Sequence, residues 1–253
     1  MKSRNHPPPG PVLVLGASSA IARGACAELA RRGHRLYLAG RRLDALERDG
    51  RDLHHRYGVT VEAGHFDATD LASHDTFIDD VDGRTGGLMG VVVAFGYLGE
   101  QARAVTDFSQ AATIIAANFT GAASILTHAA ERLRGRPGAF IIAISSVAAD
   151  RGRKSNYVYG AAKAGLETFL SGLRNRLHGE GVRVLTIKPG FVDTPMTFGK
   201  EGMFLVADAD DVGRRLIAAL DGRRDVIYLP WFWQPIMQVI RLLPESLFKR
   251  LNL

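Results

Sequence analysis

Cysteine is nearly absent: Cys26 is the only one in 253 residues. No disulfide can close within the chain, and a reducing compartment is expected. Cys26 lies beside Ala25 and Ala27 in an expected helix and reads as a small buried residue. Long apolar runs are missing as well. No window reaches the roughly 18 to 20 apolar residues that a membrane-spanning helix needs. Met1 to Gly10 is polar and proline-rich, unlike a secretory signal, so a cytoplasmic location is expected. No histidine stands at compact ligand spacing with cysteine or carboxylates, so no metal site is expected, and His54-His55 reads as surface on a charged helix. No Gly-x-Ser-x-Gly turn is present, which argues against a hydrolase built on a nucleophile elbow. The net charge of +6 comes from scattered arginines, without a long basic run interleaved with aromatics. That pattern reads as a basic solvated surface and not as a nucleic-acid partner.

What is there is ordinary globular composition, 46% hydrophobic and 23% charged, with 28 glycines. Short apolar runs at 12–15, 36–39, 59–63, 90–95, 139–144, 183–187 and 225–228 alternate with helix-like stretches. These stretches lie near 20–32, 42–57, 70–82, 107–134, 156–178 and 208–220. Most runs are continuously apolar, as strands buried on both faces are. Repeated strand–helix alternation implies right-handed crossovers and an α/β fold. The expected form is a doubly wound Rossmann-type parallel sheet of about seven strands with helices on both faces. No linker or composition shift interrupts the pattern, so residues 1–253 read as one domain ending in an apolar tail, 230–253.

The first strand runs into Gly16-Ala17-Ser18-Ser19-Ala20-Ile21-Ala22, which opens a helix. Such a turn aims backbone N–H groups and a helix N-terminus at a pyrophosphate. Gly16 suits the sharp turn, while Ala20 and Ala22 stand where further glycines would be expected. The second strand ends in Ala39-Gly40-Arg41-Arg42. An NAD-selective site would carry an acidic residue there, whereas Gly40 leaves room and Arg41 offers charge to a 2′-phosphate. NADP is therefore expected as cofactor, although both arginines could simply be solvated. Asp67 could accept from the adenine amino group or serve as a turn-former. Ala94-Phe95-Gly96 ends the fourth strand, where small residues let a cofactor cross the crevice; Phe95 is bulky and could pack against adenosine or substrate.

The strongest signal is Tyr159-Gly160-Ala161-Ala162-Lys163, with Ser146 thirteen residues before the tyrosine. Residues four apart share a helix face, so the Lys163 ammonium can approach the Tyr159 hydroxyl. A free phenol ionises near pH ~10, and a nearby cation favours tyrosinate. Tyr157 is six residues from Lys163, about 240° around a helix, so Tyr159 is preferred. Ser146, at the carboxyl end of the fifth strand, can donate to a substrate carbonyl. Asn118 is polar within an apolar helical stretch; it could anchor a water that relays protons to Lys163, or be a satisfied buried amide.

These residues resemble the short-chain dehydrogenase/reductase family over roughly residues 11 to 228. The resemblance implies a catalytic tetrad of Asn118, Ser146, Tyr159 and Lys163. Pro189-Gly190-Phe191-Val192-Asp193-Thr194 is similar to the family's Pro-Gly segment, which implies that the Val192 backbone holds the nicotinamide carboxamide and the Thr194 hydroxyl binds cofactor. The cofactor set implied is Gly16, Ser18, Ser19, Ala20, Ile21, Arg41, Asp67, Ala94, Gly96, Tyr159, Lys163, Pro189, Gly190, Val192 and Thr194. Where the family usually has Asn-Ala-Gly, this chain has Ala94-Phe95-Gly96. A narrower resemblance is to the reductase component that makes decaprenylphosphoryl arabinose. Val93-Ala94-Phe95-Gly96-Tyr97-Leu98-Gly99, Tyr157-Val158-Tyr159-Gly160 and the apolar tail carry it.

The expected function is NADP(H)-dependent hydride transfer to a carbonyl or from a secondary alcohol, on a small-molecule or lipid-linked substrate. The alternative from another class is an NADP-binding sensor without turnover; sensors usually lose the tyrosine or the lysine, and both are here. The loop near Thr197 to Val206 is expected to meet substrate. In the tail, 236–243 has only Gln238 and Arg241 as polar residues, on one side of a helix. Its apolar face must be covered, by another subunit of a homo-oligomer, by the substrate cleft, or by a membrane surface met by Trp231, Trp233, Lys249 and Arg250.

Overall fold

Val12–Leu15 and Phe140–Ile144 are apolar at every position because both of their faces are covered, and none of these residues is more than 9% exposed. In the computed structural model, which describes residues 8–197 and 204–251, they belong to seven strands. These are β1 (Pro11–Leu15), β2 (Arg35–Gly40), β3 (Val61–His65), β4 (Gly90–Val93), β5 (Phe140–Ile144), β6 (Arg183–Pro189) and β7 (Val226–Leu229). All pairings are parallel, in the order β3-β2-β1-β4-β5-β6-β7. The order reverses between β1 and β4, and that crevice is where ligands of open parallel sheets sit. The edge strand β3 is half-buried, as its mixed sequence Val-Glu-Ala-Gly-His requires.

Helices cover both faces. α1 (Ala20–Arg31), α2 (Leu43–Tyr57) and α8 (Ala209–Ala218) pack on one side, contributing Leu29, Leu46, Leu53, Val212 and Leu216 to one core. α3 (His74–Thr85), α6 (Gly121–Leu133) and α7 (Tyr157–Leu177) supply Ile78, Ile125, Leu126, Leu166 and Leu170 to the other. α1 and α8 cross closely. A Cβ on Gly24 would lie 2.7 Å from the Asp210 carbonyl oxygen, and one on Gly213 would meet the α1 backbone. Cys26 is buried in α1, and burial pushes its thiol up to about 12. His54 and His55 are exposed on α2.

Several elements differ from the sequence expectation. β4 ends at Val93, two residues short of the expected 95. Its neighbour β1 turns away at Gly16, so pairing stops after the Ala94 N–H donates to Leu15 O at 2.8 Å. The expected helix 107–134 is three pieces: α5 (Phe108–Ile115), a π turn (Ala116–Thr120) and α6. Asn118 Nδ2 donates to the Ile114 carbonyl four residues back at 2.8 Å. A side chain that captures a ladder carbonyl in this way displaces the α pattern. Two short helices, α4 (Gln101–Ala104) and α10 (Glu245–Phe248), were not expected, and the tail helix α9 (Trp233–Leu242) begins three residues before the expected 236.

One face of the tail docks beside the sheet's carboxyl end. Trp233 and Met237 are buried against Val147 and Phe191. Arg151 holds this in place: its Nη1 donates to the carbonyls of Ile240 and Leu243, both at 2.6 Å, and its guanidinium lies 3.8 Å from the Phe248 ring centroid. The other face, with Trp231, Val239 and Leu242, is exposed. Among the described residues no helix is long and apolar enough to cross a membrane. Arg151→Ala should lower stability by about 2 kcal/mol, since each charged hydrogen bond contributes ~1.5 kcal/mol or more and water replaces part of it. An unchanged urea midpoint would mean that apolar packing alone holds the tail.

Candidate active site

Gly16 turns β1 into α1 with φ of +76°, a conformation that L side chains rarely adopt. A Cβ there would also lie 2.6 Å from Phe95 N, so the two strand ends meet only because Gly16 has no side chain. Ser19 caps α1, its hydroxyl accepting from Ala22 N at 3.2 Å, and no acidic residue lies in the first turn. The first N–H groups of the helix therefore point outward with a partial positive charge.

They open onto a cavity of about 400 Å³ at the carboxyl ends of the strands. Ser18, Ser19, Ala20 and Ile21 line it from the turn into α1 and the helix's first residues, Ala94 and Gly96 from beyond the end of β4, and Ser146 from beyond the end of β5. Tyr159 and Lys163 line it from α7, and Pro189, Gly190, Val192 and Thr194 from the end of β6. Three expected cofactor residues and one expected catalytic residue stand outside this lining. Gly16 works from behind, as the turn. Arg41 is exposed, and Arg42 lines the cavity in its place. Asp67 Oδ1 accepts from Thr69 N at 2.8 Å and from its hydroxyl at 2.7 Å, so it does form the turn. Those hydrogen bonds hold its carboxyl below the usual range, with the Arg41 charge adding to them. Asn118 is fully buried, donating to Tyr97 O at 2.6 Å and accepting from Tyr97 N at 3.1 Å. Its amide clamps the segment after β4, with both Nδ2 hydrogens taken by the Tyr97 and Ile114 carbonyls. Phe95 lines the cavity and packs on Phe66.

The two tyrosines are cleanly separated. Tyr157 is 44% exposed, whereas Tyr159 is 9% exposed and faces the cavity. Lys163, one turn on, is 3% exposed; its Nζ donates to Ile144 O at 2.9 Å and lies 5.8 Å from the Tyr159 ring centroid. Burial drives the ammonium down to about 8, with the Glu167 carboxylate partly opposing. The sequence expectation that Lys163 brings the phenol down is not met. Burial pushes Tyr159 up to about 12, and it is the Ser146 hydroxyl that pulls the other way. The cation is engaged by a strand carbonyl, with its Nζ 5.8 Å from the phenol ring centroid. Ser146 Oγ accepts from Ala148 N at 3.1 Å, which leaves its own proton aimed elsewhere.

Sequence reasoning missed the charged cluster behind these residues. Ser145 Oγ donates to Glu167 Oε1 at 2.6 Å, while Lys188 Nζ donates to Glu167 Oε2 and Asp150 Oδ1, both at 2.7 Å. The Tyr228 hydroxyl donates to Asp150 at 3.1 Å. Burial works against the Lys188 charge, yet the two carboxylates more than offset it and its pKa is raised. Two signals were available: Glu167 falls four residues after Lys163 on one helix face, and Lys188 is a charge near the end of an apolar strand. The substrate loop expected near Thr197 to Val206 falls largely, at 198–203, outside the described residues.

Comparison with known proteins bears on this geometry. The short chain dehydrogenase family matches residues 11–202. An oxidoreductase of Mycobacterium tuberculosis is 38% identical over 244 residues, covering 95% of this chain and 96% of its own. Serine 3-dehydrogenase of Agrobacterium fabrum is 32% identical over 198 residues, 76% of each chain. Among solved structures, a short chain dehydrogenase of Burkholderia cenocepacia in complex with NADP superposes with a TM-score of 0.82. It is 22% identical, with 98% of this chain and 99% of that one covered.

The depressed Lys163 ammonium has a consequence for stability. Between about pH 8 and 10.5 the unfolded chain binds a proton that the folded chain resists. The penalty is present in full below pH 8 and is relieved as pH rises to 10.5, because stability rises with pH wherever the unfolded state holds more protons. The stability of Lys163→Met relative to wild type should shift in the variant's favour by about 3 kcal/mol on going from pH 10.5 to pH 7. Urea denaturation at the two pH values reads the shift, and a pH-independent gap would show that folding leaves the ammonium unperturbed.

Proposed function

The chain belongs to the short-chain dehydrogenase family, and we propose that it is an NADP(H)-dependent oxidoreductase whose acid and base is Tyr159. The observation that carries this is the convergence of Ser146, Tyr159 and Lys163 on the cavity that the α1 N-terminus also faces. The residues fit a dinucleotide. The capped helix end without acidic neighbours suits a pyrophosphate, Gly40 puts no acidic side chain at the end of β2, and Arg41 and Arg42 can meet a 2′-phosphate. Asp67 Oδ2 is left for an adenine amino group, and Pro189, Gly190, Val192 and Thr194 for the nicotinamide carboxamide. NADPH, when bound, supplies the hydride.

The chain's own residues supply the rest. At about 12, Tyr159 keeps its proton at neutral pH, so it serves as the acid that protonates a carbonyl oxygen during reduction. Ser146, with its oxygen facing the Ala148 N–H, turns its hydroxyl proton to the same oxygen and stabilises the developing alkoxide. Lys163, mostly charged at pH 7 given a value of about 8, lines the same cleft one turn on from Tyr159 and offers its charge to groups bound there. Asn118 is a positioning residue that fixes the loop at Tyr97.

Residues 1–253 are read as one such domain, its tail packed behind Val147 and Phe191 of the cavity wall. The substrate is a small-molecule or lipid-linked carbonyl compound. The outward tail face, Trp231, Val239 and Leu242 with Arg241, Lys249 and Arg250 nearby, suits a peripheral anionic membrane contact or a second copy of the chain. A cytoplasmic location, peripheral to the membrane in the first case, follows from this reading.

Purified protein should oxidise NADPH with members of a carbonyl panel. Tyr159→Phe should keep its circular dichroism and nucleotide binding while turnover falls by roughly two to four orders of magnitude. A variant retaining a tenth of wild-type turnover, where chemistry limits the rate, would overturn the assignment.

NADPH should be preferred over NADH. Arg41→Ala and Arg42→Ala should together weaken NADPH selectively, by about 1.5–3 kcal/mol for each charge-assisted bond lost. Equal dissociation constants for the two nucleotides in wild type would contradict this.

A further inference from the structure

The segment between Ser146 and Tyr159 brings two arginines into different circumstances. Arg151 is fully engaged by tail carbonyls and Glu245. Arg153 lines the cavity and is not so engaged. Its Nε is buried without a hydrogen-bond partner. Its Nη2 makes only long contacts, 3.5 Å to Val147 O and 3.8 Å to Met237 Sδ. No carboxylate forms an ion pair with it among the described residues. Asp150 is the acid whose charge it feels, and that carboxylate is held by Lys188 and Tyr228. Burial accordingly lowers the Arg153 pKa. A guanidinium withdrawn from water is ordinarily paired.

Asn156 lines the same cavity, and its Oδ1 is likewise buried without a partner. Among the described residues, Arg42, Arg153 and Lys163 line this cavity and no acidic residue does. Arg42 and Arg153 serve different places. β2, which leads to Arg42, and β5, which leads to the Arg153 segment, are three strands apart, or about 14 Å. The nucleotide end can take Arg42, whereas Arg153 stands with Ser146, Val147 and Tyr159.

Building on the oxidoreductase reading, we propose that Arg153, with Asn156 beside it, anchors an anionic group of the substrate, a carboxylate or a phosphate, and so presents the reacting carbon to Ser146 and Tyr159. The guanidinium fork matches either anion in two parallel hydrogen bonds. Asn156 can take a neighbouring hydroxyl. Anion binding repairs the unpaired Nε, so the site has more to gain from a charged substrate than from its neutral counterpart.

The test compares wild type, Arg153→Lys and Arg153→Ala on matched substrate pairs. These are 3-hydroxybutyrate against its methyl ester, and dihydroxyacetone phosphate against dihydroxyacetone. In one pair Arg153→Ala should lose roughly ten- to a hundredfold more kcat/KM on the charged member than on the neutral one, mostly through KM, with Arg153→Lys between. The pair that responds identifies the anion. Equal losses on charged and neutral members would make Arg153 a structural residue and overturn the proposal. If wild type turns over neither pair, binding decides separately from activity. Calorimetric titration of NADP-saturated protein with propionate and with inorganic phosphate should give a signal in wild type that Arg153→Ala lacks. Identical titrations, or none in wild type, would again overturn it.

Discussion

One hydrogen bond, from the buried Lys163 ammonium to the carbonyl of Ile144, orders the catalytic end of the molecule. It ties the first turns of α7 to the carboxyl end of β5. Because Tyr159 lies one turn before Lys163 and Ser146 two residues after Ile144, fixing this bond fixes the phenol over the serine. The bond has to be strong, since an ammonium that is 3% exposed has little water to fall back on. Its pKa of about 8 records the cost. Stability is surrendered at the position where charge is needed, a trade common at functional sites.

Behind it, Glu167, Lys188 and Asp150 form a cluster that a parallel sheet interior would not otherwise tolerate. Lys188 is accepted in β6 because two carboxylates pair with it, each at 2.7 Å, and Ser145 takes the remaining Glu167 oxygen. The same Glu167 carboxylate keeps the Lys163 pKa from falling further. Removal of Lys188 leaves the buried Asp150 carboxylate without its cation, the expensive outcome for such networks. The cluster therefore behaves as a unit, rigid support for Ser145-Ser146 on one side and an electrostatic counterweight to Lys163 on the other.

Strands and catalytic spacing were legible in the chain because both are local patterns. Continuous apolar runs announced β1, β4 and β5, and four-residue spacing put Tyr159 and Lys163 on one helix face. What was illegible depends on partners distant in sequence. The π turn at Asn118 exists because its amide must meet both Ile114 O and Tyr97, and neither requirement shows in local periodicity. Arg41 and Arg42 are indistinguishable by composition; the path of the backbone leaving β2 decides which one turns to the cavity. Ala20 and Ala22 looked like departures from a glycine-rich turn, yet the close approach that α1 needs is made at Gly24 against α8. The expected effect of Lys163 on Tyr159 failed because burial, which outweighs it, is a property of the assembled fold.

The cavity's electrostatics follow from these placements taken together. Three cations and the positive end of α1 line it, and no carboxylate among the described residues does. Asp150 and Glu167 lie close behind the wall, where both bond to Lys188, which offsets part of their negative charge. A low-dielectric cleft of one sign concentrates ligands of the other and raises their encounter rate. With a net charge of +6 over the chain, the long-range and local fields act in the same direction. A dinucleotide carrying several phosphates gains from both. Among the described residues the acidic side chains are spent on the interior and outer surface, and the cleft is kept for anions.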